Sequence, residues 1–543
     1  MISWLDKLGS SPDHPMINEG AAKRLLAELP ADDPLEALKE LSDWMTSFGG
    51  TPGYKLGNRL AVAMLLDETA APIQAEVRRS YTQAPHLQDL EGMKLWLAMH
   101  EFAIARIELF AVCLRELPPA VKKNEAASEQ AAIVCVRFLH SVIEQLKLEL
   151  MRYMDVQQEV WESLCWGFQF AEKAGLAETM VIPYSGHVIH SSPQRELLCA
   201  LVLFESAPGA LSSSQVEMSG RIAARLSSFF DLAREYSPET PYMIDLAHPS
   251  MPRWMDGKRE ADESMRFFGT SRAVSRLEEI IRQNERGQVE EEYRFDSEFT
   301  PEGKLTMLKH LQLYWSKEHV HRYQERHEIH TEIEVVRSLK TISKLVKHYD
   351  IDRLTNLSEE DAARLRERSG IGLVGEEIKY TSETWPVLDI SAEGVGGLVP
   401  RATAEWVKIG ALCGLKGKNA NQWWVGMIRR LKTDLQGRVH VGIRILTKQP
   451  LSVWLRVLGK GAERVSNWHT SSGSFAYDYL PVILIPDEHN SYVHATMLME
   501  CGSFVSGTLF EVMLGEKSRT IKLVEIIAEG DDYEQVRFEW QRE

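Results

Sequence analysis

Val439-His440-Val441-Gly442-Ile443-Arg444-Ile445-Leu446 decides how the C-terminal part of this chain is read. Val439, Val441, Ile443 and Ile445 alternate with His440, Gly442, Arg444 and Leu446. Successive side chains leave a strand on opposite sides, so a period of two marks a strand with one buried face. Val536, Phe538 and Trp540 alternate in the same way with Arg537, Glu539 and Gln541. Further strand-like runs cover 329–336, 385–390, 423–430, 453–458, 479–485, 508–514 and 520–527. Short, turn-bounded strands in succession predict an antiparallel barrel rather than βαβ units.

Before residue 318 the period changes. Leu139, Val142, Ile143, Leu146, Leu150 and Tyr153 recur at three- and four-residue spacing, which puts them on one helical face. Arg137, Glu144, Lys147, Glu149 and Arg152 take the other positions. Similar patterns at 23–29, 35–48, 94–114 and 214–235 predict an all-helical domain over 1–235. Residues 236–317 read as a transition: Pro238, Pro241, Pro249 and Pro252 lead into helices at 271–288 and 304–317. The fold class is therefore α+β, a helical N-terminal half followed by an antiparallel β-barrel. Strands from 479 onward follow a Ser/Gly-rich stretch, and 475–543 is either a second small β domain or the completion of the first.

Two short strings carry the chemistry. Arg322-Tyr323-Gln324-Glu325-Arg326 is R-x-x-x-R and runs into the strand at 329–336. Asp389-Ile390-Ser391-Ala392-Glu393-Gly394 is D-x-S-x-x-G and ends the run Trp385-Pro386-Val387-Leu388-Asp389. In this order, with strands in these places, the motifs resemble those of the PilZ domain family, small bacterial β-barrels that bind the second messenger cyclic di-GMP. The resemblance covers 318–458, about a quarter of the chain. In that family the arginine motif lies just before the first barrel strand and wraps the ligand. The acid-serine-glycine motif lies on a following strand and its turn.

The resemblance implies that Arg322, Arg326, Asp389, Ser391 and Gly394 bind cyclic di-GMP. The residue types suit that ligand. Guanidinium groups present paired donors to phosphate and to guanine O6 and N7. Guanine N1 and N2 donate, so a carboxylate should face them, and a serine hydroxyl serves either role. Glycine lets backbone approach a flat ring or turn sharply. One departure stands out: the family's motifs are close together, whereas Arg326 and Asp389 are 63 positions apart. A helical insertion at about 338–370 accounts for the gap, with Ser358-Glu359-Glu360-Asp361 as a capping box and Gly370 closing the helix. Within it, Arg364 and Arg368 form a rival R-x-x-x-R, whose spacing from Glu360 also suits a solvated helical face.

Other candidates are weaker. His319, His321, His327 and His330 cluster, but no Cys or Asp completes a metal set. Gly414-Leu415-Lys416-Gly417-Lys418-Asn419 echoes a phosphate loop yet has Asn419 where Ser or Thr would hold magnesium. Trp423 and Trp424 read as strand core, and Cys135 and Cys165 as inert helix residues. The net charge of −16 argues against a general nucleic-acid or anionic-membrane binder. No apolar run reaches the ~18 residues of a membrane span, and Met1-Ile2-Ser3-Trp4-Leu5 opens no signal peptide, so cytoplasm is expected. Six scattered cysteines without a C-x-x-C pair fit a reducing compartment.

The expected function is a non-catalytic cyclic di-GMP receptor that signals through its helical half to a partner protein, with no cofactor or metal. The alternative is an interaction scaffold without a nucleotide ligand. An enzyme working through the histidine cluster or the Asp389 loop lacks any nucleophile–base pair in the sequence.

Overall fold

The computed structural model describes residues 12–83, 90–117, 125–186, 189–255, 257, 262–288, 293, 299–316, 326–354, 380–400, 406–418, 420, 422–458, 479–487, 494–514 and 517–541. The chain divides between His321 and Arg322 into two compact units.

The first unit opens with eight helices: α1 (Glu19–Leu26), α2 (Pro34–Gly50), α3 (Leu56–Gln83), α4 (Leu90–Glu116), α5 (Glu125–Met151), α6 (Gln158–Ala174), α7 (Pro193–Glu205) and α8 (Ser213–Leu226). Their starts follow from capping chemistry. Asn18, Asp33, Ser192 and Ser212 each accept a first-turn amide hydrogen, and Ser212 with Gln215 forms a reciprocal box. Pro34 and Pro193 sit at first helical positions, where the missing N–H costs nothing.

Helix α5 is the axis of this unit, with α4, α6, α7 and α8 packed round it. Its apolar stripe is buried, as its spacing predicts. Its charged positions differ from the sequence reading: Arg137, Glu144, Lys147 and Glu149 are buried too. A helix enclosed on all sides has no solvent face, so its charges must find partners inside. Lys147 Nζ lies 2.7 Å from both Glu144 and Glu217, and Arg78 pairs with Glu144 and reaches Glu217 at 3.5 Å. Arg221 closes the group at 3.0 Å from Glu217. Arg137 donates to the Pro183 carbonyl at 2.7 Å and to Glu68 at 2.6 Å.

The stretch expected as a transition is part of the same core. Strands β1 (Asp231–Ala233), β2 (Tyr242–Asp245), β3 (Arg253–Trp254) and β4 (Met265–Gly269) form an antiparallel sheet in the order β1-β4-β2-β3. Helices α9 (Ser271–Glu285) and α10 (Pro301–Trp315) follow. Tyr242, Ile244, Phe268, Leu277, Leu311 and Trp315 join the cluster built on the preceding helices. Trp315 donates its indole N–H to Ser206 at 2.9 Å. Strands of two to five residues are too short to show a period, which is why prolines alone stood out.

The second unit holds β5 (His327–Arg337), α11 (Leu339–Leu354), β6 (Glu383–Ile390), β7 (Gly394–Val399), β8 (Leu412–Gly417), β9 (Trp424–Thr433), β10 (Val439–Thr447), β11 (Leu451–Val457), β12 (Tyr479–Ile485), β13 (Thr496–Met499), β14 (Leu509–Leu514), β15 (Lys517–Glu529) and β16 (Glu534–Trp540). They close two six-stranded antiparallel barrels, β10-β7-β6-β5-β8-β9 and β11-β12-β13-β16-β15-β14. The run at 453–458, grouped with the first barrel in the sequence reading, is β11 and pairs with β12 and β14 of the second.

Helix α11 occupies the β5–β6 connection and packs against β5, β8, β11 and β12. One apolar cluster unites Val336, Ile342, Trp423 and Met427 of the first barrel and its helix with Ile483, Leu498 and Tyr533 of the second. Ser338 caps α11 locally, and Asp532, from the β15–β16 turn, accepts the Leu339 amide hydrogen at 2.7 Å. The rest of the expected insertion, with Arg364 and Arg368, lies outside the described residues. Among the described residues no helix is long and apolar enough to cross a membrane.

The buried charges of the first unit make its stability depend on pH. Burial pushes the Glu217 carboxyl up, but Lys147 and Arg78 outweigh it and hold it down at about 2, below its usual 4.5. Glu144 is lowered by the same balance, with Arg78 the largest counterweight. Both carboxyls stay ionised in the fold where the unfolded chain already takes up protons. Their contribution is complete above about 4.5 and is lost as pH falls toward about 2. Lys147→Met, which removes the cation shared by two buried carboxylates and leaves them to Arg78 and Arg221, is expected to cost about 3 kcal/mol near neutrality. It should also flatten the acid limb of a plot of melting temperature against pH; an unchanged limb would exclude this network as its source.

Candidate functional site

Inside the first barrel, apolar side chains alternate inward. Trp385 and Val387 of β6 follow this rule and are buried. Continued without a break, the alternation would send Asp389 inward as well. It does not, because the pairing of β6 with β7 shifts register between Val387, opposite Gly397, and Asp389, opposite Gly396. A β-bulge adds one residue to a strand and re-aims the side chains beyond it. Asp389 consequently lies on the outer wall.

Arg326 immediately precedes β5, whose Glu328 stands opposite Asp389 in register. The Arg326 guanidinium pairs directly with the Asp389 carboxylate. Segments 63 positions apart in sequence thus meet side chain to side chain. Ser391 begins the hairpin turn into β7: its amide donates to the Gly394 carbonyl at 2.8 Å, and its hydroxyl stands 3.5 Å from the same oxygen. The Glu393 carbonyl accepts from Ile445 at 2.8 Å, which ties the turn to β10.

Gly394 belongs to this cluster through space rather than through an unusual dihedral. A methyl group there would stand 3.2 Å from the Ile443 carbonyl, 3.5 Å from the Ser391 hydroxyl and 3.9 Å from the Arg326 guanidinium. Its φ lies outside the left-handed region, so the turn itself does not demand glycine. The sequence reading missed Gly396. A Cβ on Gly396 would come within 2.6 to 2.8 Å of the Asp389 carboxylate, which rests on that bare backbone. Its role is set by register, and nothing local in the sequence signals it.

The structure therefore brings together Arg326, Asp389, Ser391 and Gly394. Arg322 lies outside the described residues, as does the rival pair Arg364 and Arg368. Arg326 and Asp389 side chains are 34% and 28% exposed, so their attraction is screened and worth roughly 0.5–1 kcal/mol. A pair this weak holds two charged groups in place while leaving them open to exchange. His327 and His330 are exposed on β5 without further ligands; among the described residues no group of three or more metal-ligating side chains occurs. Gly414 to Gly417 lies within β8, so it is a strand rather than a loop, and Trp423 is buried in the cluster between the barrels.

The contact between Gly396 and Asp389 can be measured. Gly396→Ala is expected to destabilise the unit by about 1–3 kcal/mol through overpacking. If the clash is with the carboxylate, combining it with Asp389→Ala should recover much of that loss in a double-mutant cycle. Strict additivity in chemical denaturation would show that the carboxylate does not rest there.

Residues 20–238, which comprise most of the helical first unit, match a family model described as the N-terminal domain of the cyclic-di-GMP receptor FimW. The match covers less than half of the chain and lies in the helical part, which the sequence reading left unnamed, not on the barrel that carries the two motifs. A comparison with curated proteins finds no match. The N-terminal part of this chain is thus similar to the N-terminal domain of a cyclic-di-GMP receptor.

Proposed function

We propose that this chain is a non-catalytic receptor for cyclic di-GMP, that its ligand site is the outer wall of a PilZ-like first barrel, and that the helical unit passes the signal to a partner protein. The observation that carries the reading is the contact between Arg326 and Asp389 beside Ser391 and Gly394. The similarity of residues 20–238 to a domain of a receptor for this ligand supports it from a separate part of the chain.

The ligand exchanges one set of charge contacts for another. Arg326 leaves Asp389 and turns its fork to phosphate or to guanine O6 and N7. Asp389, released, accepts from guanine N1 and N2, and the Ser391 hydroxyl serves the neighbouring edge. Gly394 keeps the wall low enough for the ring to approach. Arg322, four positions ahead of Arg326 in the same motif, supplies a second guanidinium to the phosphates. No covalent bond is made or broken. Breaking the resting pair costs little, because both partners are already partly solvated.

Calorimetric titration of the full chain with cyclic di-GMP, GTP and cyclic GMP tests the reading. Binding of cyclic di-GMP in preference to the other two is expected. Arg326→Ala and Arg322→Ala should each weaken it about tenfold or more, as for lost hydrogen bonds to a charged group. Unchanged affinity in both variants would move the site elsewhere, to Arg364 and Arg368 or to the helical unit. No binding at all would favour the scaffold without a nucleotide.

A further inference from the structure

The outer wall beside the Arg326–Asp389 pair continues across two more strands. Residues directly opposite in an antiparallel pair share a face. Asp389 of β6 stands opposite Gly396 of β7, Gly396 opposite Gly442 of β10, and Gly442 opposite Arg430 of β9. A Cβ on Gly442 would meet the Arg430 Cβ at 3.2 Å, which puts both on one face. One row along, Gly394 stands opposite Arg444. The wall is thus a shallow trough. Its floor is the bare backbone of Gly442; Gly396 beside it is buried under the Asp389 carboxylate, which forms one bank, and the other bank is Arg430 with Arg444. Both arginines are exposed, and neither forms an ion pair with a described residue.

The charge across this trough is polarised. Asp389, paired with Arg326, and the exposed Glu328 opposite it on β5 leave this bank with one carboxylate in excess. The β9–β10 bank is basic, in a chain whose net charge is −16. Two guanidinium groups with no ion pair to a described residue, beside the bare backbone of Gly442, suit a phosphate attached to a planar base.

We propose that Arg444 and Arg430 form a second phosphate clamp, which orients the ligand with a guanine donor edge toward Asp389 and a phosphodiester toward β9 and β10. The proposal rests on the reading of this wall as the cyclic di-GMP site, and adds the residues that fix orientation and specificity there. Gly442 is part of it, because a side chain there would crowd Arg430 and stand between the two banks.

The test is calorimetry of the full chain with cyclic di-GMP at two salt concentrations, for the unaltered protein, Arg326→Ala, Arg444→Ala, Arg430→Ala and the double variant Arg430→Ala/Arg444→Ala. Arg537→Ala, on the second barrel and paired with Glu525, serves as control. The double variant should lose about tenfold or more in affinity, with a shallower salt dependence, and the control should match the unaltered chain. Arg444→Lys should recover only part of the loss, since a point charge replaces a fork. It also carries the test should an alanine variant fail to fold. Full affinity in the double variant alongside weakened binding by Arg326→Ala overturns the clamp and leaves the receptor reading standing. No binding by the unaltered chain overturns both.

Discussion

A six-stranded barrel has no room inside for a nucleotide. Even eight strands enclose a space that side chains just fill. Here the first barrel is filled by Trp385, Val387, Val395, Ile428, Val441 and Ile443, all buried. Anything this barrel recognises must be met on its outer wall, by side chains that the alternation of its strands sends outward. The register shift in β6 is the device that turns an acid outward at the point where the strand has so far faced its larger residues inward. The bed of Gly396 follows from that added residue, and the pairing with Arg326 also from a second register shift, between Glu328 and Thr331 of β5.

How much of this the sequence discloses depends on the range of the signal. Barrel strands are legible because interior and exterior side chains alternate residue by residue, and both motifs were found beside such runs. The side on which Asp389 emerges was not legible. A bulge changes no residue, only which partner each residue faces. For the same reason Gly396 passed unnoticed, while Gly394 was valued for a turn geometry it does not adopt. Strand β11 was assigned to the wrong barrel because it follows β10 after three residues, whereas its hydrogen-bonding partners lie further along the chain.

The helical unit shows the opposite failure. The period of α5 is correct, yet its charged positions do not mark a solvent face. Arg78 on α3 and Glu217 on α8 supply partners that no window around α5 contains. A buried group of this kind is costly to assemble and costly to break, so it favours one arrangement of α3, α5 and α8 over others of similar apolar packing. That unit, rather than the barrel, is where the family match falls.

Helix α11 sits in the connection between β5 and β6, the strands that bring Arg326 and Asp389 together. Its apolar side is completed by Ile483, Leu498 and Tyr533, and its first amide by Asp532. The first barrel is consequently not an excisable module. Cutting the chain after β10 would strip a hydrophobic seam and leave the Leu339 amide without its Asp532 acceptor, in the connection between the two strands that carry the candidate site. A fragment that lost affinity on such trimming would say nothing about which residues touch a ligand.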